Sequence, residues 1–556
     1  MNTELSTILN GPQLEGVITT EGPVLILAGA GSGKTRVLVH RIAYLIDEKN
    51  VSPWQIMAIT FTNKAAGEMK NRVSNEIGPQ GDGVWISTFH SACVRILRRF
   101  ADHIGYDTNF SIYDSDDSKT VMKNILKDLN IDSKRWKERF FLGEISSAKN
   151  ELIGPEEYAS RISSDPTQRM LLRVYREYQS RLRASNAMDF DDLIINTVML
   201  FKTDVEVLNN YNNKLKYIMV DEYQDTNTAQ FELVRLLAGS KNLCVVGDDD
   251  QSIYKFRGAN IRNILDFERH FPDAKVIRLE QNYRSVGNIL DAANGVIANN
   301  LGRKTKKLWT DKNAGEKIHV RGFDSAYEEA SYIAGNIKSR VYKGEGRYGD
   351  FAVLYRTNAQ SRMLEEKFLY ENIPYKIVGG VNFYQRREIK DILAYLRIID
   401  NPKDDVAVRR ILNVPKRGIG AASENKVSDY AAEHDISFYE ALSGARSNPL
   451  FGRSGGKLAG FYDFIEEKKL AAGNESVSGL IKSLLEDTGY SAELKAEHTD
   501  DSENRLLNLD EFISKAADYE TTAEEPTLSG FLEEVSLIAD IDSLVEGEEY
   551  VVLMTL

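Results

Sequence analysis

Val24-Leu-Ile-Leu-Ala-Gly-Ala-Gly-Ser-Gly-Lys-Thr35 is the stretch on which the fold turns. Its first five residues form a continuous apolar run, the pattern of a strand buried on both faces. Arg36–Ile46, after it, carries apolar residues at helical spacing. Between strand and helix lie Ala28, Gly29, Ala30, Gly31, Ser32, Gly33, Lys34 and Thr35. Glycines at alternate positions let a backbone curl so that its N–H groups face phosphate oxygens, and the helix N-terminus adds partial positive charge. Lys34 has the reach for β- and γ-phosphates, and Thr35 has the hydroxyl that ligands Mg2+. A glycine-rich turn with no ligand is the plain alternative. The flanking elements and the Gly-Lys-Thr ending outweigh it, although Ala28 stands where the strict pattern has glycine. The loop alone does not say which nucleotide triphosphatase this is.

Working outward, Ile56–Thr60 and Val84–Thr88 are further apolar runs separated by helical patterns, which predicts a β-α-β-α order with a parallel sheet. From Asp114 to Ser185 the pattern is almost purely helical, with Met170, Leu171, Val174, Tyr178 and Leu182 on one face of 168–183. Strand signals return at Tyr217–Val220 and Leu243–Val246, so a helical unit is inserted into an α/β unit. A second α/β alternation is expected from Lys275–Leu279, through Ile318–Val320 and Phe351–Tyr355. Beyond Val381 the chain reads as helical to about Leu544, with loops at Ser443–Gly456 and Thr521–Pro526, and Tyr550–Leu556 is strand-like.

Two strands end in groups that complete a phosphate site. Tyr217–Val220 runs into Asp221-Glu-Tyr-Gln-Asp225, which puts carboxylates where open α/β sheets bind ligands. Asp221 suits Mg2+, and Glu222 suits a base that orients or deprotonates water. Leu243–Val246 runs into Gly247-Asp-Asp-Asp-Gln251, and Gln251 has the chemistry to bond a γ-phosphate or the attacking water. Tyr254, Phe256 and Arg257 follow at once. Flat rings interleaved with a cation suit stacking on unpaired bases, although an aromatic beside a β–α loop is usually core.

Composition narrows the class. A chain of 556 residues calls for three to five domains. Two cysteines far apart, Cys93 and Cys244, read as buried free thiols of a reducing cytoplasm, and the seven histidines lack ligand spacing. There is no apolar run long enough to span a bilayer and no secretory signal pattern at the start. The net charge of −13 argues weakly against nucleic acid, but a groove can be basic locally because fields act over about 8–10 Å. Arg95-Ile-Leu-Arg98-Arg99 and Arg303-Lys-Thr-Lys-Lys307 are local basic stretches for which composition alone favours a solvated face.

Leu9-Asn-Gly-Pro-Gln13, the phosphate loop, Thr60-Phe-Thr-Asn-Lys-Ala-Ala66, Ile86-Ser-Thr-Phe-His-Ser91 and Met188-Asp-Phe-Asp-Asp192 stand in that order. Asp221–Asp225, Gly247–Ala259, Leu279-Glu-Gln-Asn-Tyr-Arg-Ser285, Tyr355-Arg-Thr-Asn-Ala-Gln360 and Val414-Pro-Lys-Arg-Gly-Ile-Gly420 follow. Together they resemble the superfamily-one DNA helicases of the UvrD/Rep/PcrA type over essentially the whole chain. The resemblance implies an ATP-dependent 3′ to 5′ translocase and helicase of single-stranded DNA and duplex junctions, cytoplasmic, with repair or replication proteins as possible partners. It implies two RecA-like motor domains (1–110 with 190–280, and 281–380 with 541–556) and helical inserts at 111–189 and 381–540. Gln13 would read the adenine edge of ATP, Arg36 and Tyr283 would sandwich the base, and Arg284 would reach from the second motor domain to the γ-phosphate. Phe61, Thr62, Asn63, Phe89, His90, Phe190, Tyr254, Phe256, Arg257 and Arg356 would line the single-strand track. Lys416, Arg417, Gly418 and Gly420 would meet the duplex backbone. Members often carry tryptophan where Phe256 stands, so a stacking face is kept but area is lost.

In that family Leu-Met-Thr-Leu runs on into His-x-x-Lys-Gly-Leu-Glu and later an arginine finger. The sequence ends at Leu556, so a truncated or split product is expected, with weak hydrolysis, no unwinding and exposed sheet edges. The alternatives are an ATP-switched DNA-binding module and the helicase part of a helicase–nuclease. The tyrosine–arginine and Gln13 elements disfavour a transporter ATPase or a GTPase.

Overall fold

A computed structural model describes residues 2–162, 165–304, 306–378, 383–537 and 549–555. The expected boundaries at 381 and at 540–541, the helical reading to Leu544, and Met1 and Leu556 lie outside them. Six strands form the first sheet: β1 (Val24–Ala28), β2 (Ile56–Thr60), β3 (Trp85–Thr88), β6 (Tyr217–Val220), β7 (Leu243–Gly247) and β8 (Lys275–Leu279). All neighbours are parallel, in the order β3-β2-β6-β7-β1-β8. β1 is buried along its whole length and alternates between two cores. Leu25 and Leu27 join one face with Met57 and Ile59, while Val24, Ile26 and Ala28 join the other with Ile56 and Ala58.

Lys275–Leu279, expected to open the second alternation, pairs instead with β1 in the first sheet, Val24 opposite Lys275 and Ala28 opposite Leu279. Ile318–Val320, expected as a strand, is irregular, with Ile318 54% and Val320 94% exposed. An apolar run holds a strand only beside another edge that takes up its N–H and C=O groups, and no described strand lies there.

Between the two halves of the first sheet, β4 (Ser111–Tyr113) and β5 (Ala187–Asp189) pair in parallel and clamp the neck of the first helical insert. These three-residue strands are too short to leave a period-two signature. The insert's core includes Tyr113, Phe141, Leu171, Val174, Tyr178 and Leu182, with Met170 packed on its margin. The second sheet is β9 (Ala352–Tyr355), β10 (Tyr375–Ile377) and β11 (Val551–Thr555), parallel, in the order β10-β11-β9. The helices Ala326–Tyr342 and Ser361–Tyr370 cover it. The larger helical unit, Arg387–Asp400 through Leu528–Leu537, has its own core.

The two helical units meet through a buried polar cluster. Arg397 donates to Asp117 (2.8 Å) and to Asp404 (2.8 Å), and the Tyr113 hydroxyl donates to Asp404 (2.9 Å). Asn401 donates to the Ser111 hydroxyl (2.9 Å), which ties the cluster to β4. Removing one partner of a buried ion pair leaves an uncompensated charge, at a cost of about 3–5 kcal/mol. Arg397→Met is therefore expected to loosen the larger helical unit from β4, read as faster amide hydrogen exchange over 111–117 and 397–404. Unchanged protection there would assign the contact to apolar packing instead.

Candidate nucleotide site and nucleic-acid interface

β6, β7 and β1 are adjacent, so the loops leaving their C-terminal ends converge. After β1 the backbone enters the left-handed region at Gly31 (φ 65°) and Gly33 (φ 87°). A Cβ on Gly31 would sit 2.6 Å from Asn282 Nδ2, and one on Gly33 2.8 Å from Gln13 Nε2, so both positions are closed to side chains. Gly33 caps the helix Lys34–Asp47 with no side-chain bond, which leaves the first-turn N–H groups for an anion. Ala28, where the strict pattern has glycine, is the fully buried last residue of β1 and needs no special backbone.

The charged groups meet across the strands. Lys34 Nζ donates to Glu222 Oε2 at 2.7 Å, and the Thr35 hydroxyl donates to Asp221 Oδ2 at 3.4 Å. Glu222 itself has φ 49°, a left-handed conformation unusual for a non-glycine residue, which re-aims its carboxylate. Gln224, which the sequence reading assigned no role, joins two loops. Its Nε2 donates to Glu222 (3.0 Å) and its Oε1 accepts from the Asp248 amide (2.9 Å). Gln251 Nε2 donates to Asp248 Oδ2 at 2.6 Å, so Gln251 joins the site through Asp248 and Gln224. Burial, with Glu222's charge second, pushes the Asp221 carboxyl up to about 6; the same two causes do so for Asp225. A buried carboxylate beside a hydroxyl is a donor pair that a small divalent cation takes up, with phosphate oxygens and water completing the shell. Such a cation would also relieve the raised pKa, so Asp221 and Thr35 fit Mg2+.

Gln13 is buried against the loop. Its Nε2 donates to the Ser32 carbonyl (2.8 Å), and its Oε1 accepts from the Asn10 amide (3.1 Å). The Tyr283 amide donates to Gly31 O (2.9 Å), and its hydroxyl accepts from Asn10 (2.8 Å). Arg284 reaches the phosphate loop from the segment just past β8, with its side chain exposed; Arg36 is exposed on the following helix.

Of the stretch 303–307, read from sequence as a basic patch or solvated face, Arg303 and Lys306 turn inward while Lys307 stays exposed. Lys306 is 5% exposed and pairs with Asp248 (2.7 Å), Asp249 and Asp250 (2.9 Å). Arg303 adds a two-pronged contact to Asp250 (2.6 and 2.5 Å). Burial opposes the Lys306 charge, and the three carboxylates more than overcome it. Three consecutive aspartates at the end of a buried strand were a visible demand for a counter-cation; nothing in the sequence said which basic stretch supplies it.

Along the end of the same sheet lie most of the residues expected to meet nucleic acid. Tyr254 and Phe256 are exposed, ring centroids 6.0 Å apart, with the Arg257 guanidinium 5.4 and 5.7 Å from the two rings. His90 and Phe190, half-buried, meet edge to face at 5.6 Å, and burial lowers the His90 pKa to about 4, so its ring is neutral. Phe61 is half-buried, the Thr62 hydroxyl caps the helix Asn63–Ile77, and Arg356 is exposed after β9. Two assignments change. Phe89 is 1% exposed in the core and backs Phe61 edge-on at 5.5 Å rather than facing a track. Arg417 spends its guanidinium inside, donating to the carbonyls of Ile411 (2.8 Å) and Val414 (3.1 Å) and to the Tyr395 hydroxyl. It pins the turn, while Lys416, Gly418 and Gly420 stay exposed ahead of the helix Ala421–His434. Asn63 donates to the Leu537 carbonyl (2.6 Å), a contact the sequence reading missed.

Two outcomes follow from these charges. Asp221's pKa is raised above the unfolded 3.8 to about 6, so its stability contribution is present below 3.8 and lost as pH rises through about 6. Asp221→Asn is expected to abolish hydrolysis yet stabilise the protein by about 2 kcal/mol near neutrality. The gain should vanish at acidic pH, and thermal denaturation across pH measures it. Lys306→Met, which leaves Asp248 and Asp249 without a cation while Arg303 keeps Asp250, is expected to cost about 3–5 kcal/mol and lower kcat more than nucleotide affinity, with Lys306→Arg recovering part. Equal denaturation midpoints for Lys306→Met and the unaltered chain would show that the cluster does not need its cation.

Residues 9–272 match the UvrD/REP helicase N-terminal domain, and residues 277–556 match the UvrD-like helicase C-terminal domain. The chain is 52% identical over 551 residues to the ATP-dependent DNA helicase PcrA of Staphylococcus aureus, covering 99% of this chain and 75% of the relative. It is 51% identical over the same length to PcrA of Staphylococcus epidermidis, with the same coverage. With a phosphate loop, paired carboxylates and a ring-lined sheet end in one unit, and matches across both halves, the chain belongs to the UvrD/REP family of helicases.

Proposed function

We propose that this protein is an ATP-dependent DNA helicase that uses Lys34, Thr35, Asp221, Glu222, Gln251 and Arg284 to hydrolyse ATP while moving 3′ to 5′ on single-stranded DNA. The phosphate-loop amides and Lys34 hold the β- and γ-phosphates. Arg36 and Tyr283 flank the adenine, with Gln13 bracing the loop beneath it. Mg2+, held by Thr35 and Asp221, would neutralise developing charge on the phosphates. When the triphosphate takes up Lys34's donors, the Glu222 carboxylate is released to accept a proton from the attacking water. Arg284 then steadies the γ-phosphate.

One observation carries this reading: Gln251, tied to the site through Asp248, and the exposed ring of Tyr254 share one loop. Three residues span at most about 10 Å, so a shift of Gln251 on hydrolysis moves a ring that grips the strand. Lys416 and the glycine turn suit the backbone of an adjoining duplex, which supports junction binding. The division into 1–110 with 190–280, 111–189, 281–380 with 541–556, and 381–540 is proposed with it. So are a cytoplasmic location and repair or replication partners. Among the described residues no helix is long and apolar enough to cross a membrane.

The test is ATP turnover with and without oligo-dT. Any turnover should rise with oligo-dT, and Glu222→Gln is expected to lower it by about 10²–10⁴ while retaining nucleotide binding. Phe256→Ala should weaken oligo-dT binding by about 1–3 kcal/mol. Displacement of streptavidin from a 5′-end but not a 3′-end biotin would give the direction. Turnover indifferent to DNA together with no oligo-dT affinity would end this proposal.

A further inference from the structure

Arg95-Ile-Leu-Arg98-Arg99, a basic stretch the proposed function does not use, lies beside the free edge of the first sheet. β3 ends the sheet and opens with Trp85. The Arg95 guanidinium lies 4.8 Å from the Trp85 ring centroid. Trp54, in the short turn before β2, is 57% exposed. Trp54 and Trp85, with Lys70, Arg95 and Lys214, line a groove of about 530 Å³. That groove continues through Trp85 and Arg95 into a second of about 350 Å³, which adds Arg98, Arg99 and Ser91. Ser91 leads on to a third, of about 610 Å³, at Asn63 and Lys64. Through these shared lining residues the three grooves adjoin in a row from Asn63 along β3 to Trp54.

The wall that the first sheet's unit supplies is mainly basic. Lys70, Arg95, Arg99 and Lys214 are exposed and form no ion pair among the described residues, in a chain of net charge −13. Asp82 is the wall's one carboxylate from the first sheet's unit. Glu524, Glu533 and Glu534 come from the larger helical unit, and Glu533 faces Arg98 at 3.8 Å. Indole faces alternating with cations make a stacking platform with phosphate donors, which is how unpaired strands are held without regard to sequence. A wholly structural role accounts for Arg95 on Trp85. It does not account for Trp54 standing in solvent beside unpaired cations.

We propose that this row of grooves is a second stretch of single-stranded DNA track, in which Trp54 stacks a base and Arg95, Arg99 and Lys70 take phosphates beyond the Asn63 end. The proposal rests on the helicase reading above, since it extends that track. It is tested on the full chain by anisotropy with labelled oligo-dT of about eight nucleotides and of about twice that length. Affinity should rise with length. Trp54→Ala and Arg99→Gln alter exposed side chains and should leave short-oligo binding unchanged. Each should lower long-oligo affinity about tenfold, and Arg99→Gln should reduce the slope of log K against log salt by about 0.7. Long-oligo binding unchanged in both variants, whatever else the groove takes, overturns the extension. No binding of either oligonucleotide by the unaltered chain, with Phe256→Ala equally inert, overturns the helicase reading itself.

Discussion

β6, β7 and β1 lie side by side and parallel, and that adjacency aims three chemically different loops at one point. The first ends in a carboxylate pair, the second in an acidic turn with Gln251, and the third in a glycine cradle with Lys34. Parallel strands put all their C-terminal ends on one edge, so a site assembled there draws on segments almost two hundred residues apart in the chain. The Lys34–Glu222 contact at 2.7 Å is the direct sign that they meet. Gln224 adds the second link by tying the Glu222 carboxylate to the backbone of the β7 loop. With that geometry set, the rings at Tyr254 and Phe256 stand on the loop that carries Gln251.

Charge is managed differently on each side of the site. Asp221 and Asp225 are carboxyls that burial holds near 6, poised to gain from a cation. Asp248, Asp249 and Asp250 lie in an equally buried turn but receive a permanent cation, Lys306, with Arg303 behind it. The first arrangement keeps a binding site responsive; the second makes a rigid support for Gln251. Buried carboxylates left without either would be strongly destabilising. The acidity of the whole chain therefore says little about its partners, because cations are concentrated where strands and loops need them, along the β3 edge and at the glycine turn near Lys416.

Most of the architecture was legible. Continuous apolar runs gave β1, β2, β3, β6 and β7, and the acidic endings of β6 and β7 pointed to the edge where Lys34, Glu222, Gln224 and Asp248 meet. Less was legible where a strand's existence depends on a partner. Lys275–Leu279 reads as a strand, but only pairing with β1 assigns it to the first sheet, while Ile318–Val320 has the right residues and no edge to join. β4 and β5 are three residues long and exist because each completes the other.

Side-chain direction is the other thing a linear reading does not contain. By itself the sequence determined the nucleotide cradle, its carboxylates, the family and the aromatic–cation clusters, because these depend on residue type and close spacing. Only the tertiary structure decided that Phe89 faces the core, that Arg417 turns inward to hold its own loop, and that Lys306 is a buried counter-ion. Each outcome depends on which groups long-range packing brings within a few ångströms, and burial, not residue identity, decides whether a ring or a cation meets solvent or protein.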